Sequence, residues 1–214
     1  MSAVKAEAGP LRLKRVGNWF FPASDTVCAD AAVQESSLVE HEWLKHVQGR
    51  RVCVQAGGNC GLFPSKLACF FDAVYTAEPD WENFACLALN CPAPNVYAFR
   101  AAFGREAGTI GLHYVAGNAG GHWVEGEGTI PVMTIDSLCL PACDLIALDV
   151  EGAELVALEG AAATVEKYGP TVIVEDKGHV KRFGQKASDL HDWLSGRGYR
   201  PTAWAFRDRI WERP

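Results

Sequence analysis

The chain has 214 residues, of which 49% are hydrophobic, enough for one domain with a substantial core and at most a short extension. Its formal net charge is -6 and no Lys/Arg block interrupts it, which argues against a long nucleic acid as partner, because phosphate binding needs clustered cations. Its eight cysteines form no Cys-x-x-Cys pair, so neither a disulfide framework nor a zinc site is expected, and Cys53, Cys69 and Cys86 fall in apolar runs where a thiol acts as a small hydrophobe.

Residues 1–33 read as irregular, broken by Gly9-Pro10 and Pro22, with Gly17-Asn18-Trp19-Phe20-Phe21 as a packed extended segment. The start of the chain is mixed in charge and lacks the apolar core of a signal peptide. No apolar run is long enough to span a bilayer, so a cytoplasmic protein without membrane contact is expected. The first helix is expected over residues 38–48, capped by Ser37 with Glu40 completing a capping box, burying Val39, Trp43, Leu44 and Val47 and closing at Gly49. Arg51-Val52-Cys53-Val54-Gln55 reads as a buried strand, followed by a tight turn, Ala56-Gly57-Gly58-Asn59-Cys60-Gly61, and a helix over 62–71.

Further strands are expected at 73–77, 95–99, 109–115 and 129–135, with a helix over 81–90. Residues 117–128 hold five glycines and read as a mobile loop carrying His122 and Trp123. Asp144-Leu145-Ile146-Ala147-Leu148-Asp149 is the strongest buried strand. A long Ala/Leu-rich helix over 153–168 follows it and closes at Gly169-Pro170. A strand at 171–175, a helix over 188–197 and a terminal hairpin around Arg207-Asp208-Arg209 complete the chain. This alternation predicts a mainly parallel sheet with helices on both faces. The expected organisation is an N-terminal extension, residues 1–33, packing on a Rossmann-like domain, residues 34–214.

In such a sheet, ligands bind beyond the carboxyl ends of the strands, where the strand order reverses. The glycine turn lies directly after the first strand, and glycines let backbone approach a ligand. Glu78 ends the second strand, 23 positions beyond Gln55. An acid there can accept both hydroxyl protons of a ribose. The pairing points to an adenosine-containing ligand. The dinucleotide spacing Gly-x-Gly-x-x-Gly fails at Asn59 and Leu62, and no phosphate loop is present, so a monoadenosyl ligand without phosphates fits better than a nicotinamide dinucleotide.

Here the sequence resembles a known family. Val54-Gln55-Ala56-Gly57-Gly58-Asn59-Cys60-Gly61, Glu78-Pro79 with Asn83-Phe84, Ala101-Ala102-Phe103-Gly104, Val132-Met133-Thr134-Ile135-Asp136-Ser137-Leu138 and Asp149-Val150-Glu151-Gly152-Ala153-Glu154 are similar to the FkbM methyltransferases, over roughly residues 50–176. The resemblance implies a class I methyltransferase fold, with a seven-stranded Rossmann-like sheet, binding S-adenosyl-L-methionine. By position, Gly57, Asn59 and Gly61 would shape the methionine pocket, Glu78 would hold the ribose, and Ala101 and Ala102 would lie near the adenine, with Gln55, Gly58 and Pro79 also among the cofactor-binding residues. Asp149 would sit at the active-site end of its strand. The family usually has an acid where this chain has Gln55.

Methyl transfer to a hydroxyl needs a group to handle its proton. Asp149, Glu151, Glu175 and His122 are the candidates, and His179 also lies in a flanking loop. Each has another reading. Asp149 positions the cofactor, Glu151 complements the start of the helix near Ala153, and the His122 loop is either a lid or plain surface. Glu175-Asp176 with Asp149 could hold a divalent metal, although adjacent carboxylates are more often solvated. The resemblance implies a sugar or small-molecule hydroxyl as acceptor. An acceptor nitrogen or nucleotide, and a catalytically silent cofactor-binding module, are the competing readings.

Overall fold

Val52-Cys53-Val54-Gln55-Ala56 is buried at every position, and so is Leu145-Ile146-Ala147-Leu148. Strands covered on both faces read as unbroken apolar runs, and these two lie side by side at the centre of one sheet. The computed structural model of the chain describes residues 11–37, 39, 42–176 and 178–214. The expected capping residue Glu40 and the start of the chain, residues 1–10, lie outside them.

In chain order the strands are β1 (Leu13–Val16), β2 (Trp19–Pro22), β3 (Val52–Ala56), β4 (Ala73–Ala77), β5 (Val96–Phe99), β6 (Ala102–Phe103), β7 (Gly108–Ile110), β8 (Leu112–His113), β9 (Trp123–Val124), β10 (Ile130–Met133), β11 (Leu145–Leu148), β12 (Thr171–Glu175), β13 (Arg200–Ala205) and β14 (Asp208–Glu212). The α-helices bounded within the described residues are α1 (Cys28–Glu35), α2 (Leu62–Leu67), α3 (Trp81–Asn90), α4 (Glu154–Glu159), α5 (Ala162–Tyr168) and α6 (Ala187–Ser195). The main sheet has seven strands in the order β13-β14-β12-β11-β3-β4-β5. The five from β12 to β5 are parallel, and the terminal hairpin β13–β14 adds antiparallel to β12. This is the mainly parallel seven-stranded sheet that the sequence led one to expect, with the terminal hairpin at one edge. The chain leaves β3 in one direction towards β5 and returns on its other side with β11, so the order reverses between β3 and β11.

Alternate residues of the central strands feed two cores. Val52, Val54, Ile146, Leu148, Val172 and Val174 face α4, α5 and α6 through Ala157, Leu158, Val165 and Leu194. Cys53, Leu145, Ala147 and Ile173 face Val39, Trp43, Val47 and Leu67. A third cluster packs Phe21 and Ala29 of the N-terminal segment on Cys60, Leu62 and Cys86. Asn90 pins that segment, accepting from Phe20 N–H at 2.9 Å and donating to the Phe20 carbonyl at 2.8 Å.

Several expected elements take other forms. Of the residues expected as a helix at 38–48, residues 38, 40 and 41 lie outside the described ones, Val39 is helical, and Trp43–Lys45 form a turn of 3-10 helix. Val39, Trp43 and Val47 are buried, as expected. A helix that was not expected, α1, lies earlier, where Asp25 accepts from Cys28 N–H and Ala29 N–H, and it crosses the expected boundary at residue 34. Ser37, expected to cap, donates its hydroxyl to Gln34 O behind that helix. The helix at 62–71 stops at Leu67, which leaves Cys69 exposed instead of buried. The strand at 109–115 breaks at Gly111 into β7 and β8, and part of the expected loop, β9, pairs with β8. The long helix at 153–168 is two helices, because a Cβ at Gly160 would lie 1.9 Å from Gly104 O, and the Asp136 carboxylate caps a second start at Ala163 N–H and Thr164 N–H. Among the described residues no helix is long and apolar enough to cross a membrane.

Candidate active site

The reversal between β3 and β11 opens a cleft at the carboxyl ends of the strands, the usual place for a ligand in such a sheet. Its floor is the turn after β3. Gly57 adopts φ +78°, and a Cβ there would sit 1.8 Å from the Asp149 carbonyl oxygen, so only glycine lets the two central strands close at this point. Gly58 likewise lies against Leu87 and Thr76.

Gln55 braces this turn from behind. Its amide nitrogen donates to the carbonyls of Ala56 and Gly57, each at 3.0 Å, and its oxygen accepts from the Thr76 hydroxyl at 2.7 Å. A carboxylate could not make the first two bonds, so the amide is built into the turn. The side chain faces a second cavity with Trp43 and Phe63, on the other side of the sheet from the cleft.

Glu78 stands across the turn at the end of β4. Its two oxygens accept from Asn59 N–H at 2.7 Å and Asp80 N–H at 2.8 Å. It is 5% exposed, and burial, then the nearby Asp80 charge, raise its pKa to about 8 despite those bonds. The Asn83 side chain is a further donor to the carboxylate, which keeps lone-pair capacity for a hydroxyl donor. Asn59, at φ +45°, uses its backbone N–H on Glu78 and its side chain on Cys28 Sγ and Cys60 N–H. Gly61 caps the six-residue α2 and packs on Leu87 and Cys91 rather than lining the cleft.

Pro79, Ala101, Ala102 and Phe103 form an apolar wall, and Ala119, Gly120, His122 and Trp123 face it from the segment between β8 and β9. A close glycine turn, a buried acceptor with spare lone pairs and a flat apolar wall match the polarity of an adenosyl group bearing a methionine tail.

Beyond the turn, Asp149, Glu151 and Glu175 bring carboxylate oxygens within 4.8 Å of one another. Parallel pairing of β11 and β12 puts their ends together. Asp149 is exposed in the cleft, whereas Glu151 is buried at φ +56°. Glu151 Oε2 lies 2.8 Å from His179 Nδ1 and 3.4 Å from an Arg182 guanidinium nitrogen, which also donates to Glu151 O at 2.8 Å. Glu151 is thus committed to the chain beyond β12. Asp176, whose N–H binds Arg207 O, is not one of the three acids. His122 accepts Val115 N–H on Nδ1 at 3.2 Å, so in the neutral ring the proton sits on Nε2 and the ring is a donor at that atom.

Three participants escaped the sequence reading. Glu154 accepts from Gly152 N–H and Val150 N–H, shaping the turn that carries Asp149 and Glu151, and burial raises its pKa to about 7. The spacing Glu151-x-x-Glu154 at a helix start was a legible signal for this. Arg182 and the pairing of His179 with Glu151 had none, because the contacts join loops about thirty residues apart.

Residues 72–201 match the methyltransferase FkbM domain model, more than half of the chain, beginning just after the glycine turn. Among solved structures, the methyltransferase FkbM from Methylobacillus flagellatus is similar at TM-score 0.56 and 18% identity, over 83% of this chain and 47% of that one. This chain therefore spans about half of that protein. Magnesium protoporphyrin IX methyltransferase from Synechocystis, solved with bound SAH, gives TM-score 0.49 and 14% identity over 87% and 84% of the two chains. A putative RNA methyltransferase from Pyrococcus horikoshii gives 0.46 and 13% over 86% and 84%. No curated protein matches at a significant level.

Proposed function

This chain belongs to the FkbM methyltransferase family, and from that premise we propose that it transfers a methyl group from S-adenosyl-L-methionine to a hydroxyl of a sugar or other small molecule. The observation that carries the cofactor half of this reading is Glu78. It is a buried carboxylate at the end of β4, held by two N–H groups beside the glycine turn and open to the cleft. When bound, the cofactor supplies an electrophilic methyl group on a sulfonium, so the chemistry is largely its own. The chain's task is to bind, orient and manage one proton.

Glu78 would hold the ribose hydroxyls, Ala101 and Ala102 would flank the adenine with Pro79, and Gly57, Gly58 and Asn59 would border the methionine end. Asp149, exposed on the β11 side of the cleft, would face that end and orient it. The neutral Gln55 removes nothing from the cleft, since its amide is spent on the turn. That favours turnover over a silent binding module. A hydroxyl acceptor suits the acids gathered around Asp149, which offer proton acceptors where an alkylated oxygen must lose its hydrogen. Glu175 lies beside them as part of the acceptor's surroundings, and no metal is required by this scheme.

The test is calorimetric titration with S-adenosylmethionine and S-adenosylhomocysteine, with a folded Glu78→Ala variant as control. Saturable binding that weakens about a hundredfold in the variant is expected, the worth of hydrogen bonds to a charged acceptor. A folded wild-type protein that binds neither compound would overturn the reading.

A further inference from the structure

We propose that His179 is the base that takes the proton from the acceptor's hydroxyl, with Glu151 as its positioning residue. The proposal rests on the hydroxyl-methylation reading above and adds a residue and a place to it.

His179 opens the 3-10 turn His179–Phe183 that follows β12. Its Nδ1 lies 2.8 Å from Glu151 Oε2. A carboxylate beside the Arg182 guanidinium accepts and does not donate, so Nδ1 carries the hydrogen and the lone pair of the neutral ring is on Nε2. Among the described residues Nε2 has no partner. This is the reverse of His122, whose Nδ1 is spent accepting Val115 N–H. Of His122 and His179, only His179 is set up to receive a proton at Nε2.

The ring is held firmly. Glu151 sits at φ +56°, a left-handed conformation that is unfavourable for a non-glycine residue and tends to be retained at functional sites. Gly152, at φ +111°, packs so closely that a Cβ there would lie 2.6 Å from His179 O. Arg182 clasps the carbonyl and the carboxylate of Glu151 together. The loops after β11 and β12 are therefore interlocked around the His179–Glu151 pair. A plain surface ion pair would need none of this.

The imidazole, 34% exposed at its side chain, lines a pocket, and Glu151 forms the wall this pocket shares with the cofactor cleft. Lining the pocket with the ring are Glu151 from the turn after β11, Glu154 from the start of α4, Glu175 and Asp176 from the end of β12, His191 from α6 and Arg209 from β14, with Arg182 of its own turn on Glu151. Donors and acceptors mixed in this way suit a ligand whose hydroxyls do both. In the step, the acceptor O–H bond breaks, its proton passes to Nε2, and the oxygen forms the O–CH3 bond. The C–S electron pair returns to sulfur, so a sulfonium becomes a thioether and the imidazolium later gives its proton to water.

The test uses the full chain in two arms. Long-range proton–nitrogen NMR of the imidazoles should show neutral His179 protonated at Nδ1, and Glu151→Gln should disturb that tautomer. In the second arm, methyl transfer is followed with methyl α-glucoside, methyl α-mannoside and methyl α-galactoside. His179→Asn keeps a side-chain N–H for Glu151 but removes Nε2. It should bind S-adenosylhomocysteine as the wild type does, lose about 100-fold or more in kcat, and lose the ascending limb of the pH–rate profile. A neutral ring protonated at Nε2, or a His179→Asn variant at wild-type rate, would overturn the proposal and leave the hydroxyl-methylation reading standing. A wild type that binds cofactor but methylates none of the three sugars sinks that reading, and this proposal with it.

Discussion

A carboxylic acid in a buried place gives up its proton late, and Glu78 does so at about pH 8, driven there by burial and by the Asp80 charge. Ribose hydroxyls bond best to the ionised form. Below that value, binding must therefore first release a proton, and S-adenosylhomocysteine affinity should rise by up to about tenfold per unit between pH 6 and 8, then level off. Calorimetry across that range, in buffers of different ionisation enthalpy, should show close to one proton released per ligand at pH 7. A pH-independent affinity would count against Glu78 as the ribose acceptor. Glu154 tests the same physics on stability. Its pKa rises from 4.5 to about 7 on folding, so the folded chain holds a proton that the unfolded chain releases, and stability falls as pH climbs through that window. Glu154→Gln keeps the Oε1 that accepts both backbone N–H groups and cannot ionise. It should stabilise the protein on the order of 2 kcal/mol at pH 8 and very little at pH 4.5, read from urea midpoints at the two values. At this scale the sequence revealed groups that are neighbours along the chain or sit at strand ends, such as the glycine turn, Glu78 and Asp149. It concealed the partnership of Glu151 with His179, which exists only because β11 and β12 pair in parallel and bring their ends together.

At the level of elements, the break between α4 and α5 has a specific cause and can be probed from both sides. Asp136 Oδ1 accepts from Thr164 N–H and the Thr164 hydroxyl, and Oδ2 from Ala163 N–H, so a residue remote in sequence caps α5. Asp136→Ala should cost about 1–2 kcal/mol, as loss of a helix cap does. Gly160→Ala should cost more, about 3 kcal/mol, since its Cβ would collide with backbone at Gly104 that cannot swing aside. Chemical denaturation measures both. Equal, negligible losses would mean that the break is incidental and the helices could run on. The same region shows why some elements were legible and others not. The strands β3, β4, β11 and β12 are apolar runs bounded by turn residues, and the pattern is set by burial on both faces. An Ala/Leu-rich stretch reads as continuous helix, by contrast, because the feature that splits it is a close approach to Gly104 and a carboxylate at Asp136, neither of them local. The buried stripe at 38–48 was legible in the way those strands were: Val39, Trp43 and Val47 recur every four residues and are buried against Cys53, Leu145 and Ile173, although the turn at Trp43–Lys45 is 3-10 rather than α-helical. Asp25, three residues before Cys28, was a readable cap for α1.

Across the whole molecule, the segment from Leu112 to Val124 is the part of the cleft wall that belongs to neither half of the main sheet, and it is clamped at both ends. The N-terminal segment holds one end. Asp25 Oδ1 accepts from Ala119 N–H at 3.1 Å, and Thr26 N–H donates to Gly117 O at 2.7 Å, while Asn83 of α3 donates to Ala119 O. The other end is held by Trp123, whose ring stacks on His113 at 3.7 Å and carries the Arg182 guanidinium 4.1 Å from its centroid. Arg182 also grips Glu151, so the flap over the cofactor cleft is joined to the loop that positions His179. An arrangement of this kind would couple closure over the cofactor to assembly of the acceptor side. Trp123→Leu keeps apolar bulk, leaves Glu151 and His179 untouched, and removes a cation–π contact and a ring stack together worth about 1–2 kcal/mol. Hydrogen exchange of amides in residues 112–124 should quicken about tenfold, as local opening becomes easier by that amount, with little change in Tm because the core is not involved. Dissociation of S-adenosylhomocysteine should accelerate in step. Faster exchange with an unchanged dissociation rate would mean that the flap opens without governing the cofactor, and unchanged exchange would mean that the N-terminal clamp alone holds it.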